Sequence, residues 1–169
     1  MKIALVALAF IMIFTGCPGT ATAEIGMTDD QLLARAPLGD IYMRVLKIEL
    51  PAEGDYQTIW DGPVNISVPI SSGSVTSVTI NQVSITPADY DRIRVTVDSV
   101  GFTDGANETL LDAGETQFIA TAAALIPVDD GDEVTMIVNI ATTNWFDADS
   151  IRIKPNTTPF QGAILKRGL

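Results

Sequence analysis

Four carboxylates surround one glycine in the run Asp129-Asp130-Gly131-Asp132-Glu133. Carboxylate oxygens are preferred ligands of Ca²⁺, an ion that exported proteins meet at high concentration. The candidate metal ligands are Asp129, Asp130, Asp132 and Glu133. The run lacks the loop length and the terminal bidentate Glu of an EF-hand, and it is more typical of a solvated Asp-Gly turn between two strands. The sequence favours the turn and leaves a calcium site as the alternative.

The two tryptophans are the residues best suited to stack on a sugar ring. Trp60 directly precedes the turn-forming sequence Asp61-Gly62-Pro63, which predicts that its side chain is partly exposed. Trp145 is the second candidate. Large aromatic residues are nonetheless more often part of a core or a corner than of a binding surface. A sugar-binding role for Trp60 and Trp145 therefore stands beside a structural role for both.

Residues for nucleophilic catalysis are scarce. The sequence has no histidine, which removes the commonest general base and metal ligand, and its single cysteine cannot form an internal disulfide. Gly73-Ser74 lacks the nucleophile elbow of serine hydrolases. We therefore expect a protein that is not an enzyme and that needs no cofactor other than a possible calcium ion.

The charge balance is strongly acidic. Asp and Glu number 21 against 10 Lys and Arg, which gives a formal net charge of -11. Proteins that bind nucleic acid concentrate Lys and Arg on one face, so we expect no nucleic-acid partner.

The N-terminus has the pattern of an export signal. Met1-Lys2 precedes an unbroken apolar run over residues 3–14, which is too short to span a bilayer as a stable helix. The run ends in Phe14-Thr15-Gly16-Cys17, which resembles the lipobox of bacterial lipoproteins. The resemblance implies a signal peptide, with its helix, over residues 1–16 and a lipid on Cys17. Since Pro18 rather than Asp follows the cysteine, it also implies attachment to the outer membrane.

A second cleavage site lies slightly downstream. Ala21-Thr22-Ala23 has the small-x-small pattern of ordinary signal peptidase sites, and cleavage at Ala23 would release a secreted or periplasmic chain that starts at Glu24. The position of the only cysteine, directly after the apolar run, favours the lipoprotein. Residues 17–39 are then the lipidated cysteine and a tether.

From residue 40 to residue 169 the pattern is that of one β domain. Short runs of β-branched and apolar residues alternate with Gly, Pro, Asp and Asn, with no helical window longer than a turn or two. The predicted strands cover residues 41–49, 56–60, 64–68, 75–80, 83–85, 92–102, 117–126, 133–141, 151–154 and 160–165. This spacing favours an all-β fold, an antiparallel β-sandwich.

The alternation of side chains changes phase within the longest predicted strand. Ile93, Val95 and Val97 are at odd positions, whereas Val100 and Phe102 are at even positions. One face of a strand carries every second residue, so the change of phase predicts a β-bulge near Asp98-Ser99.

The segment Thr86-Pro87-Ala88-Asp89-Tyr90-Asp91-Arg92-Ile93-Arg94, with Gly101-Phe102 after it, resembles an element of known β-sandwich families. It is similar to the Pro-x-Gly-x-Tyr turn and strand of transthyretin-like and carboxypeptidase-regulatory-like domains. It is closer to the Pro-Ala-Gly-x-Tyr-x-x-Ile-Arg-Leu element of an uncharacterised family of secreted bacterial lipoprotein domains. The resemblance implies a transthyretin-like or related Greek-key sandwich and no catalytic residues. At such a corner the Tyr90 ring is buried and its hydroxyl binds nearby backbone.

These patterns predict a lipid-anchored protein of the bacterial cell envelope whose β domain is a non-catalytic binding or structural module. Its partners would be the membrane, through the lipid, and a protein or glycan. One alternative is a calcium-dependent adhesin or carbohydrate-binding module. Another is a subunit of a surface assembly that pairs through an exposed strand edge, such as that of residues 160–165.

Overall fold

The computed structural model describes residues 19–30, 39–78 and 82–168. Cys17 and the predicted signal peptide over residues 1–16 lie outside these ranges. The elements, in chain order, are β1 (Ala21–Thr28), β2 (Asp40–Ala52), β3 (Asp55–Pro69), β4 (Thr76–Ser77), β5 (Val83–Ile85), β6 (Ala88–Thr103), β7 (Glu108–Asp112), β8 (Thr116–Val128), β9 (Glu133–Asn139), α1 (Thr142–Trp145), β10 (Phe146–Asp147), β11 (Arg152–Ile153) and β12 (Ile164–Arg167). Within the described ranges no helix has the length and hydropathy that crossing a membrane requires.

The all-β class predicted from the sequence is confirmed. Ten strands form one sheet in the order β3-β2-β6-β8-β12-β9-β1-β4, with β5 paired to β1 and β7 paired to β6. The short strands β10 and β11 pair only with each other.

The sheet is mixed, so the prediction of a purely antiparallel arrangement is wrong. β12 lies between β8 and β9, which the chain connects by a tight turn and which run in opposite directions. A strand inserted between two antiparallel neighbours must be parallel to one of them, and β12 is parallel to β8. β1 is likewise parallel to β9, with Ala23 opposite Val134. The expected strand edge at residues 160–165 is wrong too, because residues 160–163 lie outside the strand and Ile164 and Leu165 are paired on both sides.

The two edges of the sheet approach each other, and the strands form a curved sheet that nearly closes into a barrel. The hydroxyl of Thr76 in β4 donates a 2.8 Å hydrogen bond to the carbonyl oxygen of Ser67 in β3, across the gap between the edges. One hydrophobic core fills the interior. Its largest fully buried side chains are Trp145, Phe146, Phe160, Ile25, Met27, Ile41, Met43, Ile48, Leu50, Ile93, Met136 and Ile140.

β1 corrects the predicted tether and domain boundary. Ala21, Ala23, Ile25 and Met27 alternate along the strand and are at most 1% exposed. The strand is paired with β9 on one side and with β4 and β5 on the other. Interpreting residues 17–39 as a tether is therefore wrong for Ala21–Thr28, which belongs to the β domain.

Asp29 fixes the chain where β1 ends. Its fully buried carboxylate accepts hydrogen bonds from the backbone N–H of Ser71 at 2.9 Å and from the hydroxyl of Thr142 at 2.5 Å. A buried carboxylate needs such donors because it has lost its hydration. Asp29 thus joins β1 to the chain that follows β3 and to α1.

The long strand β6 has the corner and the bulge that the sequence predicts. Tyr90 is 3% exposed, and its hydroxyl donates a 2.5 Å hydrogen bond to the carbonyl oxygen of Thr86. Between β2 and β6 the register shifts by one residue, since Tyr42 is opposite Gly101 whereas Arg44 is opposite Asp98. Both predictions for β6 are confirmed.

The predicted break at Asp61-Gly62-Pro63 is absent. β3 continues through these residues. Its register with β2 shifts there, since Val45 is opposite Val64 whereas Lys47 is opposite Asp61. A bulge lets a strand accommodate extra residues without ending, and for that reason Gly and Pro do not terminate the strand here.

Candidate functional site

The acidic turn after β8 uses its carboxylates to bind backbone. Asp130 Oδ1 accepts a 2.9 Å hydrogen bond from the N–H of Thr20, and Asp132 Oδ2 accepts one of 3.0 Å from the N–H of Asp129. The N–H of Gly131 donates to the carbonyl oxygen of Thr20 at 3.0 Å. The turn therefore holds the chain immediately before β1 against the start of β9.

The calcium hypothesis for this turn stays a prediction. In the part of the chain that the structure describes, no group of three or more His, Cys, Asp or Glu side chains could hold a metal ion. The geometry of Asp129, Asp130, Asp132 and Glu133 supports the turn that the sequence favours.

The two tryptophans are in different environments. Trp145 is fully buried, its Nε1 donates a 2.8 Å hydrogen bond to the carbonyl oxygen of Ile140, and the rings of Phe146 and Phe160 lie against it. It has no free face, so the prediction that it stacks on a sugar is wrong. Trp60 in β3 is half-buried, and its ring lies over Gly62, where a Cβ atom would overlap it. A role of Trp60 in binding stays a prediction.

A groove with a volume of about 450 Å³ lies on the outer face of β2 and β3. We call it the β2–β3 groove. Its polar lining residues are Tyr42, Arg44, Asn65, Ser67, Ser99 and Glu108. Its volume is within the range of roughly 300–1,000 Å³ that is typical of small-molecule sites.

Strand register brings the first four of these residues together. Tyr42 is directly opposite Ser67, and Arg44 is directly opposite Asn65. Side chains two residues apart in a strand lie on the same face, whereas Met43 between them is buried in the core. Two neighbouring cross-strand pairs therefore form one polar surface.

The bulge in β6 shapes the other side of the groove. Ser99 adopts a left-handed backbone conformation with φ 53°, which places the extra residue of the bulge beside β2. Gly101 is opposite Tyr42, and a Cβ atom at Gly101 would overlap the ring of Tyr42. The absence of a side chain at Gly101 therefore allows the Tyr42 ring to lie over β6.

Arg44 is held by a carboxylate at the edge of the groove. Its Nε and Nη2 donate hydrogen bonds of 2.7 and 2.5 Å to the two carboxylate oxygens of Asp98. These hydrogen bonds hold the pKa of Asp98 below its usual range and raise the pKa of Arg44. Both groups are therefore charged at neutral pH, and the guanidinium has a fixed orientation.

Other polar groups of the groove are open to a ligand. Within residues 39–78 and 82–168, no other protein group binds the Tyr42 hydroxyl, the Asn65 amide, the Ser67 hydroxyl or the Glu108 carboxylate. The three groups Arg44, Asp98 and Glu108 give the groove a local charge of about −1. The arrangement can donate and accept hydrogen bonds beside an aromatic ring.

The sequence does not single out these groove residues. The alternation of Tyr42 and Arg44 with buried neighbours and the predicted bulge near Ser99 are the signals that could have located them. Comparison with protein-family models, curated proteins and solved structures finds no match to this chain. The function of the chain is therefore inferred from its own structure and sequence.

Proposed function

We propose that this chain is an outer-membrane lipoprotein of the bacterial cell envelope, attached through Cys17, and that its β domain is a non-catalytic binding module for a protein or glycan. The observation that carries the proposal is the position of β1. The strand begins at Ala21, four residues after Cys17. The chain that follows the proposed lipid thus enters the fold almost at once.

The two possible cleavage sites differ in what they leave of β1. Cleavage before Cys17 keeps the whole strand. Cleavage at Ala23 removes Ala21 and Ala23, which are at most 1% exposed, together with the 2.8 Å hydrogen bond from the N–H of Thr22 to Asp132. It also removes both hydrogen bonds of Thr20 to the acidic turn. At about 1 kcal/mol each, these three hydrogen bonds alone would cost about 3 kcal/mol, a large share of the stability of a typical domain, and the pairing of residues 21–23 with β5 and β9 is lost as well.

The acidic turn that contacts Thr20 and the β2–β3 groove lie toward opposite ends of β6. The acidic turn that contacts Thr20 follows Val128, which pairs with Ala88 at the start of β6. Ser99 of the groove is eleven residues further along β6. At about 3.3 Å per residue, this places the groove roughly 35 Å along the strand from the end that lies beside the acidic turn. A lipid on Cys17 would therefore leave the groove directed away from the bilayer.

Metabolic labelling with a palmitate analogue tests the anchor. We expect label on the wild-type protein and none on Cys17→Ala, and mass spectrometry should find an N-terminal peptide that starts at the lipidated cysteine. A mature chain that starts at Glu24, or label that persists in Cys17→Ala, would contradict the proposal.

A further inference from the structure

We propose that the β2–β3 groove binds a neutral oligosaccharide, with the Tyr42 ring as the surface on which a pyranose stacks. This inference rests on the proposed role of the domain as a binding module and is independent of the lipid anchor. It replaces the predicted platform of Trp60 and Trp145 with a tyrosine that the sequence does not single out.

The Tyr42 ring has the position that stacking requires. The outer part of the ring lies over Gly101, where a Cβ atom would overlap it, and the half-buried side chain lines the groove. A pyranose presents an apolar face of C–H groups that packs on such a ring, while the phenol hydroxyl stays in contact with water or ligand. A ring fixed by the strand beneath it loses little conformational entropy when a sugar binds.

Hydroxyl groups of a sugar need donors and acceptors side by side. The Asn65 amide supplies both, and the Glu108 carboxylate and Ser67 hydroxyl supply acceptors. Asp98 occupies Nε and Nη2 of Arg44 and leaves the N–H groups of Nη1 for a ligand. Because Asp98 already orients the guanidinium, Arg44 can bind a hydroxyl without reorganisation.

The charge of the groove selects a neutral ligand. Asp98 neutralises Arg44, and Glu108 adds one negative charge to a chain whose formal net charge is -11. Like charge repels a uronic acid or a phosphorylated sugar from such a surface. We therefore expect neutral hexose or N-acetylhexosamine chains and no anionic polysaccharide.

A titration followed by nuclear magnetic resonance tests the proposal on the full processed chain. The isotope-labelled protein is solubilised in lauryldimethylamine oxide, which has no sugar head group, and titrated with maltotetraose, cellotetraose and chitotetraose. At least one of the three should shift the backbone amide of Gly101 and the side-chain amide of Asn65. The proposal is overturned if none of them shifts these signals, if the shifts lie elsewhere in the domain, or if a galacturonic acid tetramer binds more tightly.

Variants separate stacking from other effects. Tyr42→Ala should weaken binding by about tenfold or more, and Tyr42→Phe, which keeps the ring, should bind nearly as well as wild type. Tyr56→Ala is the matched control, because Tyr56 packs on Arg94 outside the groove and should not affect binding. Unchanged affinity in Tyr42→Ala would overturn the assignment.

Gly101→Ala tests the position of the ring without changing its chemistry. The new methyl group would displace the Tyr42 ring, so binding should fall as it does in Tyr42→Ala. Wild-type affinity in Gly101→Ala would overturn the role assigned to the position of the Tyr42 ring over Gly101. If Cys17 carries the lipid label but no saccharide binds, only the saccharide proposal fails. If a saccharide binds but Cys17 carries no label, only the proposed anchor fails.

Discussion

Arg94 donates two hydrogen bonds to Glu49 across the β2–β6 pair, from Nε at 2.8 Å and from Nη2 at 2.9 Å. Glu49 is only 3% exposed although it lies on the outer face of the sheet, and the Tyr56 ring lies 4.0 Å from the Arg94 guanidinium carbon. An ionised carboxylate this buried depends on its cationic partner, because it has lost most of its hydration. The pair therefore joins β2 to β6.

Removing Arg94 should leave this carboxylate buried without its main partner. We expect Arg94→Met to lower the free energy of unfolding by about 3 kcal/mol, measured by urea denaturation. The double variant Arg94→Met/Glu49→Met should recover most of that loss, because it removes the buried charge as well. Arg92→Met is the control, since the exposed pair of Arg92 and Asp91 should contribute less than about 1 kcal/mol. Equal losses in Arg94→Met and Arg92→Met would contradict the argument.

Glu49 should also produce a defined acid sensitivity. Hydrogen bonds from Arg94 hold the pKa of Glu49 below its usual value of 4.5 in the folded protein. Below pH 4.5 the unfolded chain therefore binds a proton that the folded chain does not, so stability falls as the pH falls. The stabilisation by ionised Glu49 is complete above pH 4.5 and is lost as the pH drops through the folded pKa. Urea midpoints of wild type and Glu49→Gln should converge in that acidic window, and a constant difference down to pH 2 would contradict this.

The hydroxyl of Tyr90 should contribute measurably to stability. Tyr90→Phe removes the hydrogen bond to Thr86 and leaves a carbonyl oxygen at a tight corner without that donor. We expect a loss of about 1–2 kcal/mol in the free energy of unfolding. Tyr56→Phe keeps the ring over Arg94 and is the matched control, expected to change stability by less than about 0.5 kcal/mol. If both variants unfold at the same urea concentration, the Tyr90 hydroxyl does not stabilise the folded protein.

Asp130 should hold the chain before β1 in place. Asp130→Ala removes the acceptor for the N–H of Thr20, so hydrogen exchange at Thr20 and Thr22 should become faster, with a loss of stability of about 1 kcal/mol. Asp129→Ala is the control, because only the backbone of Asp129 takes part in the turn within the described residues. A melting temperature that rises with calcium in wild type and loses this response in Asp130→Ala would instead support the calcium site.

Much of the β domain could be predicted because its strands follow simple alternation. Ile93, Val95 and Val97 are all buried, and the change of phase after them is the bulge at Ser99. β1 could not be predicted because three of its eight residues are alanine or glycine, and small residues give a weak hydrophobic signal. β1 is stable as a strand because the tertiary structure buries Ala21 and Ala23, which local sequence cannot show.

The candidate site could not be predicted because it depends on pairing between distant segments. Tyr42 and Ser67 become neighbours only through the register of β2 and β3. The ring of Tyr42 can lie over β6 only because Gly101 of that third strand is opposite it. The sequence instead drew attention to Trp145, whose size and neighbours place it in the core. Residue type identifies candidates for binding, whereas register decides which of them meet.

The stability of the β domain should depend on whether the processed chain keeps the beginning of β1. A chain that starts at Glu24 lacks the contacts of Thr20 with the acidic turn and the buried side chains of Ala21 and Ala23. With a cost of about 3 kcal/mol, its melting temperature should be roughly 6–12 °C below that of a chain that starts at Pro18. A chain that starts at Gly19 is the matched control and should melt like the longer one, because it keeps every described contact of β1. If the chain from Glu24 is equally stable, then the fold does not distinguish the two cleavage sites and the structural argument for an anchor at Cys17 fails.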